Sequence, residues 1–335
     1  GFRAQTDRCP AANSRFRDFK TKQLNWHGLC SVLPNMWHHF TNRTHGGFSP
    51  FNDMHVAGWF WKRLRCAFPE AQSAVLMPNH FHLLLHCNSQ EADRLKIAHL
   101  LGALGRDQGL GANRWETIPT PKPIPDRYHL RRNVRYVALN PCRKELCSDP
   151  LEWLWSTHRD ICGATTDPWI THTRLAELFR ESPQDFQKRH HAYVSSDPSV
   201  DPEGTPASKM ALGQKYAVLP LQSIAEAVMA ATRQPTAALR SRTLARKYFL
   251  LAAADQGWRD FNLLAEFTAM SPNGARLTVR KSEIAALPES LRLCLGDERL
   301  RRHGERSLRK LFDHFPSKNG ISSPNRPLSR RQLPF

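Results

Sequence analysis

The sequence has no uninterrupted apolar run of the eighteen or more residues that a membrane span needs, because Arg, Lys, His or Asp breaks every hydrophobic stretch. A soluble, cytoplasmic chain is therefore expected. The eight cysteines contain no C-x-x-C pair and no dense spacing, which speaks against a disulfide scaffold and for reduced thiols. Residues 1–33 lack the apolar segment of a secretory signal. They begin without Met, so a fragment or an uncertain start is expected, and they are left outside the fold. Acidic residues are few beside basic ones: 30 Asp and Glu face 48 Lys and Arg, for a net charge of +18 and a pI near 10.0. A soluble protein this basic commonly meets a polyanion, nucleic acid first among them, although a basic surface that merely aids solubility fits the charge as well.

What is present divides along the chain. At 335 residues, two domains, or one with appendages, is the default expectation. "NMWHHFTNR", residues 35–43, reads as a strand ending at a turn, and residues 52–67 carry apolar side chains at helical spacing up to Pro69. "SAVLM" and "HFHLLLH" are strand-like and separated by Pro78-Asn79, which predicts a β-hairpin. "SQEADRLKIAHLLGALGRD" then reads as a helix, and the first half of "RWETIPTPKPIP" as a short edge strand leading into a loop. Residues 126–140 form a basic amphipathic helix that stops against Pro141. Strand, helix, hairpin, helix, strand, helix predicts an α+β fold: a ferredoxin-like antiparallel sheet with helices on one face.

Residues 194–209 are rich in Ser, Pro, Asp and Gly and read as a linker between a domain over 34–193 and an all-helical one over 210–312. In the latter, two helices are expected on either side of Pro235, then a helix, turn and helix in "NLLAEFTAMSPNGARLTVRK". Residues 313–335 form a basic, Pro- and Ser-rich tail expected to be disordered.

Strand geometry gives the pair His80 and His82 a common face, with Phe81 on the other, an arrangement suited to a shared metal ion. For an isolated H-x-H the plainer account is one core histidine and one exposed one. Tyr136 and Asn140, four apart on the basic helix, share a face and could approach the histidines together, the first as nucleophile and the second as oxygen ligand. Taken singly, Tyr136 could be an ordinary packing residue and Asn140 a helix terminator before Pro141. His38, His39 and His86 are not expected to be ligands.

Three ordered motifs, "VLMPNHFHLLL", then "RYVALNPCRKEL" about fifty residues later, then "DPLEWLWSTH", resemble the REP-associated tyrosine transposases, a branch of the single-tyrosine HUH endonuclease superfamily. The resemblance runs from about Pro34 to Gly163 and takes in "HHFTNR" of the first strand. It implies a ferredoxin-like core, His80 and His82 as the metal pair, Asn140 as the third polar ligand and Tyr136 as the nucleophile. The sequence departs from the family pattern at Cys142, where an aliphatic residue is usual, and at Lys144 and Glu145, where Ala-Gly is usual. Neutral imidazoles and an amide oxygen make a borderline site for Mg²⁺ or Mn²⁺, which can polarise a scissile phosphodiester, and a nearby cation helps a phenol attack phosphorus. The implied product is a 5′-phosphotyrosine with a free 3′-hydroxyl, so single-stranded, hairpin-forming DNA is the expected partner and strand transfer the expected outcome.

Arg43, Arg132, Arg135 and Arg143 are candidate phosphate contacts, Arg143 most so because it sits inside the motif, while a solvated basic face explains any one of them equally simply. Arg276, Arg280 and Lys281 fall in the second helix of a possible helix-turn-helix that would bind duplex DNA, although a plain helical bundle fits too. Two further readings stay open. One is a non-catalytic protein that recognises structured or duplex DNA, a domesticated transposase. The other is a replication- or plasmid-transfer-type nickase, which shares the histidines but not "YVALNP". Monomer and homodimer are equally open.

Overall fold

The computed structural model describes residues 36–110, 114–198, 200, 219–282 and 287–302. The expected N-terminal extension, most of the linker and the basic tail lie outside the described residues.

Four strands form one antiparallel sheet: β1 (Met36–Arg43), β2 (Ser73–Met77), β3 (His80–Cys87) and β4 (Lys122–Ile124), in the order β2-β3-β1-β4. Helix α1 (Met54–Ala67) joins β1 to β2, and α2 (Gln90–Asp107) joins β3 to β4. Local chemistry sets their starts. Asp53 accepts from the backbone N–H of His55 and Val56, and Ser89 from that of Ala92, each satisfying donors that a first helical turn leaves unpaired. Pro78-Asn79 closes the β2-β3 hairpin with Met77 opposite His80, as the sequence predicts.

The sheet carries helices on both faces, not on one. Phe60 of α1 lies against Phe81 at 5.6 Å between ring centroids, whereas His82, the next residue along β3, meets Tyr136 of α3 (Arg127–Arg143). Neighbours on a strand point to opposite faces, so α1 and α3 flank the sheet from opposite sides. A strand-by-strand reading does not register this because His80 and His82 give one face of β3 the polar alternation of a solvated side, whereas both are buried at 7% exposure.

Two boundaries also differ from expectation. The edge strand is Lys122–Ile124, in the second half of the Pro-rich segment, where Pro123 sits on an edge that needs no further donor. In the first half Trp115 makes only an isolated bridge to Thr44. Helix α3 runs through Pro141 to Arg143, and its end is closed by the N–H of Lys144 on the Asn140 carbonyl and by Glu145 in the left-handed region. Leu130, Val134, Val137 and Ala138 recur at helical spacing and are buried, so packing holds the last turn despite the missing proline donor.

The β2 edge is covered by residues 153–157. Trp153 Nε1 donates to the Leu76 carbonyl at 2.8 Å, the Leu76 N–H donates to the Trp155 carbonyl at 2.8 Å, and the Thr157 hydroxyl bridges the Ala74 backbone. An edge otherwise open to pairing with another chain is thereby closed. Helices α4 (Thr157–Ile161), α5 (His172–Phe179) and α6 (Phe186–Ser195) follow.

The C-terminal helices are α7 (Leu221–Thr232), α8 (Leu244–Asp255), α9 (Phe261–Thr268), α10 (Pro272–Lys281), α11 (Glu289–Gly296) and α12 (Glu298–Arg301). They enclose a core of their own around Ile224, Val228, Phe249, Leu250, Leu264 and Leu291. Leu151, Cys162 and Ala164 are buried in that same core. Ion pairs seal the junction: Arg299 reaches Asp149 at 2.8 Å and Asp297 at 2.6 Å, and Arg233 reaches Asp160 at 2.7 Å. Arg159, fully buried, donates to the carbonyls of Leu151 and Leu300. No helix among the described residues is long and apolar enough to cross a membrane.

Candidate active site

The antiparallel register places Thr41 opposite His82 and Arg43 opposite His80, so His39, Thr41 and Arg43 share the α3 face of the sheet with the two histidines. His80 and His82 stand side by side, 5.1 Å between ring centroids. Tyr136 meets this group from α3, 5.8 Å from the His82 ring and 6.1 Å from that of His39. Its exposure of 40% on a helix otherwise buried along this stretch leaves the phenol open to solvent. Asn140, one turn on, is buried and donates its amide to the Tyr136 carbonyl at 2.9 Å, leaving its Oδ1 for another partner.

His39 is the residue that sequence reasoning set aside. Its Nε2 lies 2.9 Å from His82 Nδ1. The signal was available only through register, since His39 is two residues from Thr41 and diagonal to His82 across the β1-β3 ladder. His38 points to the other face and is bonded to the Met36 carbonyl and to Gln90, and His86 lies beside Trp37.

The histidine side of the site is largely buried and positively charged. Burial first, then Lys122, lowers His39 to about 4. Burial, then Arg43 and Lys144, lowers His80 to about 4. Burial, then its histidine neighbours, Arg43 and Lys122, lowers His82 to about 2. All three rings are neutral at physiological pH, the form in which imidazole binds a metal or accepts a proton.

Whether a divalent cation fits can be tested on the hydrogen bonds. His80 Nδ1 is 2.8 Å from Asn79 Oδ1, an acceptor, so the proton sits on Nδ1 and the Nε2 lone pair is left over. With His82 Nδ1–H donating to His39 Nε2, the Nε2 of His82 is likewise left over. The two Nε2 atoms are neutral donors of the kind that borderline ions accept, and the Asn140 Oδ1 is a further neutral oxygen on the neighbouring helix.

The candidate cations divide into two groups. Arg43 and Lys122 act directly on the histidines, and Arg143 lies over the Tyr136 ring at 5.3 Å. Arg143 also pairs with Asp197 at 2.9 Å, and Arg135 reaches Ser196 at 3.1 Å and the Tyr193 ring at 5.0 Å, so both tie α3 to the end of α6. Arg132 is exposed beside Tyr128. Arg276, Arg280 and Lys281 are exposed on α10, remote in sequence and not among the residues gathered here. Ala269 takes the left-handed conformation in the turn before α10, at φ 48°, a conformation that a turn glycine adopts more easily. A separate cleft of about 890 Å³ lies on the α2 side of the sheet, lined in part by Asn42, Arg94, Arg114 and Trp115.

No protein-family model matches the chain, and no curated protein matches it. Among solved structures it is similar to one described as "Structure of the REP associates tyrosine transposase bound to a REP hairpin". The two chains are 18% identical, the match covers 38% of this chain and 79% of that one, and the TM-score is 0.33.

Proposed function

We propose that this chain is a transposase-type enzyme that nicks single-stranded DNA and transfers the cut strand through Tyr136. The observation that carries the reading is the convergence of Tyr136 with His82, His80 and His39 on one face of the sheet, from three elements whose residues here lie more than forty apart in the chain. The strand order and the βαββαβ succession support a ferredoxin-like core for residues 34–193, followed by a helical domain over 210–312.

In this reading Arg43 and Lys122 draw the phosphodiester to the histidine face. The Tyr136 oxygen attacks phosphorus, the bond to the 3′-oxygen breaks, and that oxygen leaves as a 3′-hydroxyl after taking a proton. The phenolic proton leaves to solvent, to which Tyr136 is open, because the one lone pair of neutral His39 is taken by His82 Nδ1–H. A 5′-phosphotyrosine remains. Its ester keeps the energy of the broken linkage, so a second 3′-hydroxyl can reverse the attack and join strands. His80, His82 and Asn140 would hold Mg²⁺ or Mn²⁺, the imidazoles favouring Mn²⁺, and the ion when bound would supply Lewis-acid polarisation of the phosphodiester. Hairpin-forming DNA is the substrate class, and Arg276, Arg280 and Lys281 on α10 add contacts to duplex phosphates. The DNA partner places the protein at the bacterial nucleoid.

The test is incubation with labelled hairpin-bearing oligonucleotides and Mg²⁺ or Mn²⁺. A covalent protein–DNA adduct is expected from the unaltered chain and none from Tyr136→Phe, with DNA binding retained. An adduct that survives Tyr136→Phe removes the assignment. Binding by both chains with an adduct from neither leaves the non-catalytic DNA-binding protein as the reading.

A further inference from the structure

A second group of donors lies away from the candidate active site, where α4 meets α6. His158 of α4, Cys162 at the end of α4 and His191 of α6 are all buried, and one donor atom from each lies within 4.8 Å of the others. His158 Nε2 stands 3.1 Å from His191 Nδ1 and 3.7 Å from Cys162 Sγ. A zinc ion with Zn–N of about 2.0–2.1 Å and Zn–S of about 2.3 Å would, if tetrahedral, set its ligands about 3.3 Å apart for two nitrogens and about 3.6 Å apart for nitrogen and sulfur. The observed separations fall close to those edges. Its surroundings carry a second mark of an incomplete polar cluster. His190, wholly buried with its ring 5.5 Å from that of His158, has neither nitrogen bonded, and His158 Nδ1 is unbonded as well.

We propose that His158, Cys162 and His191 form a structural site for a zinc-type divalent ion. On binding, the Cys162 Sγ–H bond breaks, its proton leaves to solvent and the thiolate sulfur bonds the metal. The two imidazoles enter as neutral ligands and release nothing. Imidazole and thiolate together select Zn²⁺ or Co²⁺ over Mg²⁺ and Mn²⁺, so this ion is chemically distinct from any held at His80 and His82.

The position gives the site a task. Helix α6 is the brace behind α3: the Val194 carbonyl and Ser196 hydroxyl accept from Arg135, and Asp197 pairs with Arg143, which lies over Tyr136. A metal clamping α6 to α4 fixes the brace to the segment that covers the β2 edge, and through it sets the orientation of the tyrosine helix.

Cobalt substitution of the full chain is the test. After dialysis against chelator and addition of one equivalent of Co²⁺, the unaltered protein should show a near-ultraviolet thiolate-to-cobalt charge-transfer band. Zinc should abolish that band, and the thermal midpoint should rise with zinc. Cys162→Ala, checked for fold by circular dichroism, should lose both the band and the zinc-dependent rise. A His80→Ala/His82→Ala double variant should keep both, because that site offers no thiolate. Absence of the band in the unaltered folded chain, or its persistence in Cys162→Ala, overturns the proposal.

Discussion

Mild acid should unfold this protein through its buried neutral histidines. His39 and His80 are lowered to about 4, His190 to about 3 and His82 to about 2, in each case chiefly by burial. The sign follows from proton counting. Between the unfolded value of about 6.5 and these folded values, the unfolded chain binds protons that the folded chain does not, so stability is complete above about pH 6.5 and falls as the pH drops toward about 4. At about pH 5 an unfolded histidine is almost fully charged and a folded one almost fully neutral. That is about 1.5 pH units at about 1.4 kcal/mol each, or about 2 kcal/mol per ring. His80 is the most open of the four to solvent and contributes less, which leaves about 6–8 kcal/mol in total against a typical stability of about 5–15 kcal/mol. The assay is urea unfolding in chelator at about pH 7 and about pH 5. The midpoint should fall by half or more, and His190→Phe, which keeps the stack on Phe186 without an ionisable ring, should recover about 2 kcal/mol of that loss. A total loss under about 2 kcal/mol, or a His190→Phe chain with the full loss, would refute the reasoning.

Asp149→Asn should destabilise the chain by about 3 kcal/mol, measured by urea unfolding at neutral pH. It removes one buried partner of Arg299 while Asp297 still holds the guanidinium at 2.6 Å. A cost under about 1 kcal/mol would mean the junction between the two cores does not depend on this pair. Replacing Arg276, Arg280 and Lys281 together by Ala should lower the salt dependence of duplex-DNA binding by about 2.7 in log–log slope. An unchanged slope would take α10 out of the interface.

The parts of the fold legible in the sequence are those fixed by short-range chemistry. "HFHLLLH" puts both imidazoles on one face because strand periodicity is two, Pro78-Asn79 turns the hairpin, and Asp126 accepts the His129 N–H to start α3. Each of these needs only a few consecutive residues. The edge strand was misplaced because pairing with β1 at Trp37, His38 and His39, not local propensity, selects Lys122–Ile124. Helix α3 outlasts Pro141 because buried Val137, Ala138 and Leu139 hold the turn against the sheet, which outweighs one lost hydrogen bond. His39 escaped notice for a related reason: its place beside His82 is set by a ladder between residues more than forty apart, and no window along β1 contains that register. The His158, Cys162 and His191 group shows the same effect more strongly. Helical spacing brings Cys162 one turn from His158, but His191 arrives from another helix, so the three donors carry no contiguous spacing motif. Sites whose donors lie on one strand or one helix face can be read from sequence, whereas those assembled across elements become visible only when packing decides which faces meet.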